Sequence, residues 1–155
     1  MNYDSQFPYA WRFIDDKYNK LPILDLNQID ELTMEESLAF WNENISKKIL
    51  YYPISNIIAN NEKIIKDCGW GNKEQENVTG THIAKLLLNR NIYFFWDPKH
   101  AVRTTSNIFL TYWSDFCYCS DSANIIYLSP IEIFIYHEDI FLKANIQPNQ
   151  NLIEL

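Results

Sequence analysis

From Asn91 to the C-terminal region the chain passes through short runs of β-forming residues, "NIYFFW", "NIIYL", "EIFIY" and "IFLKA", the last three parted only by "SP" with Ile131 and by "HED". Side chains of this kind suit a pleated, buried surface. So few intervening residues leave no room for a crossover, which needs a dozen or more, so these runs can pair only as antiparallel neighbours. The C-terminal third therefore reads as a meander, with "FCYC" (116–119) taken as a further run ahead of the turn "SDSA". "NIYFFW", closed by Asp97-Pro98, reads as a buried strand.

The segments before Asn91 have helical texture. Asp25 can cap a short helix running through Glu31, and Thr33 with Glu36 three residues on forms a capping box. Behind that box Leu38, Trp41 and Ile45 recur on one face, which predicts a helix from Thr33 to Lys48. "YYPISNIIANNEKIIKDCGWGN" reads as a second helix entered at Pro53, carrying Ile57, Ile58, Ile64 and Ile65 and stopped at Gly69 and Gly71. "GNKEQENVTG" reads as a surface loop, followed by a helix capped at Thr79 or Thr81 and running to Arg90. Ser106–Asp115 reads as a helix with Ile108, Tyr112 and Trp113 on a common face, a strand being the alternative. The expected fold class is α+β: N-terminal helices followed by a mainly antiparallel sheet in one domain of 155 residues, with 146–155 as a loose tail. There is no internal repeat, low-complexity tract or domain boundary.

Charge narrows the function classes. The net charge is −7, which argues against a nucleic-acid binder, whose phosphate contacts need a basic face. Between Ile14 and Ile45 eight carboxylates face only Lys17 and Lys20, a local net of −6. Asp30, Glu31, Glu35, Glu36 and Glu43 are read as crowding two successive helices whose apolar faces turn inward. Their carboxylates then point outward together, as a solvated face or as a docking surface for a basic partner. Asp121 and Glu138, in the expected sheet turns, serve as the inert comparison. Three cysteines form no disulfide framework, and the N-terminal residues have neither a basic n-region nor an apolar h-region, so a cytoplasmic protein without membrane association is expected.

"WDPKHAVRTT" (96–105) holds the densest set of reactive side chains. A turn after a buried strand accounts for Asp97 and Pro98, and Thr104 or Thr105 can cap a following helix. His100 is read as part of that turn. The enzymatic alternative places His100 and Arg103 near a pocket lined by Trp96 and Trp113. For metal binding, Cys117 and Cys119 would share one face of a strand, but no second pair completes four ligands and His82, His100 and His137 are scattered. Neither a Walker pattern nor G-x-G-x-x-G occurs. No cofactor is expected.

Four elements of the N-terminal half carry a resemblance: W-x-F (Trp11, Phe13), "LPI" (Leu21, Pro22, Ile23), "LT-x-E" (Leu32, Thr33, Glu35) and "WNE-x-IS" (Trp41, Asn42, Glu43, Ile45, Ser46). Together with "YFFWDP", "TTSNIF" and "YWSDFCY" they make the chain resemble a bacterial family known as domain of unknown function 2947. The resemblance covers about two thirds of the chain and departs from Tyr51 to Arg90. It implies no activity and no catalytic residue. In character the chain, small, acidic and rich in aromatics, Ile and Asn, is also similar to immunity proteins that neutralise bacterial toxins, including those of contact-dependent inhibition systems. The expected function is therefore binding of a cognate toxin, a basic nuclease by the logic of complementary charge, rather than catalysis. The alternative is a small enzyme or ligand-binding domain.

Overall fold

The computed structural model describes residues 1–51 and 53–146, so the expected loose tail lies, after Ile146, outside the described residues. Among the described residues seven strands form one sheet in the order β1-β4-β3-β5-β6-β7-β2, antiparallel at every pairing. They are β1 (Asp30–Glu31), β2 (Glu62–Ile65), β3 (Asn91–Asp97), β4 (His100–Thr105), β5 (Asn124–Ser129), β6 (Glu132–His137) and β7 (Ile140–Lys143). The helices are α1 (Trp11–Ile14), α2 (Ile23–Leu26), α3 (Met34–Asn44), α4 (Ile54–Asn60), α5 (Lys73–Leu87), α6 (Ser106–Thr111) and α7 (Trp113–Phe116). This is the α+β arrangement that the sequence predicts.

The sheet is apolar on both faces, and a separate core covers each. Successive side chains of a strand point to opposite sides. Ile92, Phe94 and Trp96 of β3 join Ile126, Phe134 and Tyr136 in one core, closed by Phe13, Leu26, Ile83, Phe109, Trp113 and Phe116. Phe95, Ile125, Tyr127, Ile133 and Ile135 form the other, closed by Trp41, Ile45, Tyr51 and Ile57. Thus α1, α2, α5, α6 and α7 lie over one face and α3 and α4 over the other.

The meander β5-β6-β7 forms as expected. Its β6–β7 turn is Glu138-Asp139, both at positive φ (45° and 67°), the geometry of a two-residue hairpin whose twist matches its strands. "FCYC" is not a strand: Phe116 ends α7, Cys117 is buried and Cys119 is exposed, so the two thiols share no face. His100–Thr105 adds a strand that the sequence reading treated as turn and cap. The last residue of that stretch does cap α6, Thr105 Oγ1 accepting from Ile108 N at 3.3 Å.

The N-terminal half departs further. The capping box is present, with Thr33 Oγ1 accepting from Glu36 N and Glu36 Oε2 accepting from Thr33 N at 2.8 Å. However, α3 ends at Asn44 rather than Lys48, and its most buried stripe is Ser37, Trp41 and Ile45. Asp25 is not a cap: it lies inside α2 and accepts from the Tyr112 hydroxyl. The expected second helix is α4 followed by β2, whose Lys63 and Ile65 pair with Leu142 and Phe141 across a bulge. Helix α5 begins at Lys73, capped by Asn72 accepting from Gln75 N, so most of the expected loop is helical. Its inward stripe is Glu76, Thr79, Ile83 and Leu87. Glu76 accepts from Gly71 N, and the Thr79 hydroxyl donates to Cys68 O at 2.9 Å. Polar side chains thus occupy buried positions because each is hydrogen-bonded, a pattern that apolar periodicity does not register.

Asp121 is far from inert. Arg12 donates to both its carboxylate oxygens (2.9 and 2.7 Å) and to Phe116 O, while Asp121 also accepts from Tyr118 N. Both side chains of the pair are nearly buried, at 5% and 11% exposure. Replacing either partner alone with alanine strands a buried charge and is expected to cost about 3–5 kcal/mol in urea unfolding, whereas the Arg12→Met, Asp121→Leu double variant costs less. The cysteines give a second prediction. Cys68 is buried and its thiol is pushed up to about 12 by burial and then by Asp139 and Asp67; burial likewise raises Cys117. The native protein should therefore react at one thiol with an aromatic disulfide reagent near neutral pH and at all three after unfolding. Reductant should leave the melting temperature unchanged.

Candidate functional site

The sequence leads one to expect five carboxylates pointing outward together from two successive helices, and the structure redistributes them. Asp30 and Glu31 form β1, an edge strand paired with Arg103 and Val102 of β4. Glu35 and Glu36 are in the first turn of α3, where negative charge complements the free amides of the helix start. Three of the five, Asp30, Glu31 and Glu36, meet around a groove of about 270 Å³ between β1 and α3, with Leu32, Phe40, Tyr93 and Arg103 as its other walls. Glu35 is exposed outside it. Glu43 lies two turns along α3, close enough to help raise the Tyr127 hydroxyl, after the larger effect of burial.

The groove has an aromatic floor and an acidic rim. Phe40 packs on Tyr93 at 4.3 Å between ring centroids and meets Tyr127 edge-on at 4.9 Å. Strand alternation explains Tyr93: its neighbours Ile92 and Phe94 enter the opposite core, so Tyr93 must face α3. Asp30 accepts from Arg103 at 2.9 Å, and this hydrogen bond, with the Asp30 charge, holds the guanidinium pKa above its ordinary value. Both groups are more than half exposed, so the pair adds little stability. Glu31 accepts from the Ser5 hydroxyl at 2.6 Å. Hydrogen bonds from the Thr33 backbone and hydroxyl lower the Glu36 carboxyl below its usual range, so it stays ionised into mild acid. Three carboxylates against one guanidinium leave two uncompensated negative charges around an apolar floor. Such a cleft fits a lysine or arginine side chain, whose cation can meet carboxylates while its stem and charge rest on ring faces.

The other expected cluster separates. His100 is the first residue of β4 rather than part of the turn before it, and the turn holds it: Asp97 Oδ1 accepts from Lys99 N and His100 N, and Asp97 Oδ2 lies 2.7 Å from His100 Nδ1. Its ring meets Phe7 and Tyr9 edge-on. Arg103, three residues along the same strand, faces the α3 side. Trp96 lies under Tyr9 and donates through Nε1 to Phe116 O, whereas Trp113 lines a different hollow beside Gly80 and Lys73. The four residues share no pocket. Among the described residues no group of three or more His, Cys, Asp or Glu could hold a metal ion, and no helix is long and apolar enough to cross a membrane.

Sequence reasoning missed Leu32, Phe40 and Tyr93 as groove residues, and Arg12 altogether. Period-two alternation through "NIYFFW" was the available signal for Tyr93. For Arg12 the signal was a cation enclosed by Trp11 and Phe13; its guanidinium lies 4.4 Å from the centre of the Tyr118 ring and 5.2 Å from that of Trp11. The W-x-F, YFFWDP and YWSDFCY elements, distant in sequence, meet here.

Comparison with curated proteins and with solved structures finds no match. The profile of the family described as "Protein of unknown function (DUF2947)" matches residues 4–144. That match includes the stretch from Tyr51 to Arg90 in which the quoted elements lapse, and by its extent the chain belongs to the DUF2947 family.

Proposed function

We propose that this chain is a protein-binding module that captures a basic partner at the groove between β1 and α3, in the manner of an immunity protein neutralising a basic nuclease-type toxin of a contact-dependent inhibition or similar system. The observation that carries the reading is the groove itself: Asp30, Glu31 and Glu36 rim a floor of Phe40 and Tyr93, with one guanidinium among them. An acidic surface of this kind accelerates encounter with a basic protein and can occupy the site at which that protein holds nucleic acid. Aromatic anchors at the centre and charges at the rim are the arrangement in which a few residues dominate binding energy. The alternative, an enzyme built on His100 and Arg103, is less favoured because the two residues point to opposite sides of β4 and His100 is held by its own turn.

The test is kinetic and takes as partner a basic nuclease-type toxin domain, sought first among the genes adjoining this one. Association should be fast at low ionic strength and slow as salt rises, because the Debye length contracts from about 30 Å at 0.01 M to about 8 Å at physiological strength. The Glu31→Lys, Glu36→Lys double variant should lower the on-rate by about tenfold or more, while Glu62→Lys with Glu138→Lys, on β2 and in the β6–β7 turn, should change it little. Thr33→Ala, which removes the cap at about 1 kcal/mol without altering charge, separates loss of helix stability from loss of charge. Equal effects from the two charge reversals, an on-rate indifferent to salt, or failure of the two proteins to co-purify would defeat the proposal.

A further inference from the structure

A second cavity, of about 280 Å³, opens at the end of the sheet where β3 finishes and β5 begins. Its two carboxylates are engaged by the protein. Asp97 holds the amides of its turn, the His100 ring and the Tyr9 hydroxyl, the last at 3.2 Å. Asp121 holds Arg12 and Tyr118 N. The Tyr51 hydroxyl donates to Ala123 O. Asn124, the first residue of β5, is the exception. It is 1% exposed, lines the cavity, and has no hydrogen-bond partner at either Oδ1 or Nδ2. Burying an amide without partners is unfavourable, and an apolar side chain of the same shape would serve a purely structural position better.

We propose that this cavity is a small-molecule site for a nucleoside, bound through its base. The Asn124 amide sets an acceptor and a donor side by side in one plane, complementary to any base edge that offers a donor next to an acceptor; paired asparagine–adenine contacts use the same geometry. One wall is the half-buried Tyr9 ring, backed by Trp96 with ring centroids 4.8 Å apart and planes 10° from parallel; Trp96 is itself closed on its other side by Phe116, so Tyr9 offers the face on which a planar ring stacks whatever its identity. The exposed hydroxyls of Ser120 and Ser122 line the same cavity and are suited to a sugar. The volume lies just below the roughly 300–1,000 Å³ found for small-molecule pockets, which suits one base and its ribose rather than a dinucleotide. Asp121 is neutralised by Arg12, which leaves Asp97 as the carboxylate that makes the wall unfavourable to phosphate, so the site favours nucleoside over nucleotide. These residues are separate from the β1–α3 groove, and the inference stands whether or not that groove binds a basic protein.

The experiment is titration of the ¹⁵N-labelled full chain with adenosine, cytidine, uridine and inosine, following the Asn124 side-chain amide signals. At least one nucleoside should move them saturably, and its 5′-monophosphate should bind about tenfold more weakly or worse. Asn124→Leu should lose about tenfold or more in affinity, with a melting temperature at or above that of the parent because an uncompensated amide has left the interior. Asn124→Ala, which adds no bulk, carries the same test should the leucine variant not fold. No saturable shift at millimolar nucleoside would overturn the proposal and leave an ordered water as the only group meeting Asn124. Unchanged affinity in the folded Asn124 variant, or a monophosphate that binds as well as its nucleoside, would overturn it too.

Discussion

Strand β3 is apolar on both sides, and most of the architecture follows from covering it. Ile92, Phe94 and Trp96 need one layer, and Phe95 with Tyr93 needs another. A strand buried on both faces must lie inside the sheet, between β4 and β5, and the sheet must be sandwiched. The helices that supply the two layers come from both halves of the chain. The helix-forming N-terminal half cannot stand apart from the sheet: Trp41 and Ile45 cover one face, while Phe13, Leu26, Ile83 and Leu87 cover the other. This interleaving explains why the chain has no internal boundary at which to divide.

Arg12 fixes the end of that arrangement. Its guanidinium joins the carbonyl that closes α7 to Asp121 in the loop before β5, and it lies among the rings of Tyr9, Trp11, Trp96 and Tyr118. A buried ion pair of this sort adds little net stability relative to well-packed apolar groups, but it specifies one geometry sharply, because any displacement leaves a charge unpaired. The loop it fixes carries Ser120, Asp121 and Ser122, and the strand that follows begins with Asn124. The polar cavity is thus held by a rigid frame rather than by a free loop, which is the condition under which an unpartnered amide can be kept aimed at a ligand.

The acidic groove lies at the far edge of the sheet. An edge strand presents unpaired backbone groups, and proteins commonly shorten and charge such strands to prevent pairing with other chains. β1 is two residues long, Asp30 and Glu31, both acidic and both exposed. The same charges therefore blunt the edge and, with Glu36 and the Phe40–Tyr93 floor, form the surface proposed to take a basic partner. One arrangement can serve both ends, since repelling another sheet edge and attracting a cation both call for carboxylates without cations of their own.

What the sequence by itself determined was whatever depends on near neighbours. The Thr33–Glu36 box, the Asp97 turn, the β5-β6-β7 meander and the strand at "NIYFFW" all close within a few residues, so local spacing sufficed to read them. Tertiary structure decided what depends on distant partners. Asp30–Glu31 and Glu62–Ile65 have little strand character of their own, and they become strands because β4 and β7 offer them open edges. The first half of α5 reads as a loop because Glu76 and Thr79 occupy its buried stripe, made tolerable by Gly71 and by the Cys68 carbonyl, partners that no periodicity displays. Of the five carboxylates read as one face, Asp30, Glu31 and Glu36 meet around the groove although they belong to different elements, and Glu35 and Glu43, on the same helix as Glu36, lie outside its lining. Charge is written in the sequence, but its direction is set by which element carries it, and that choice rests on pairings across the whole chain.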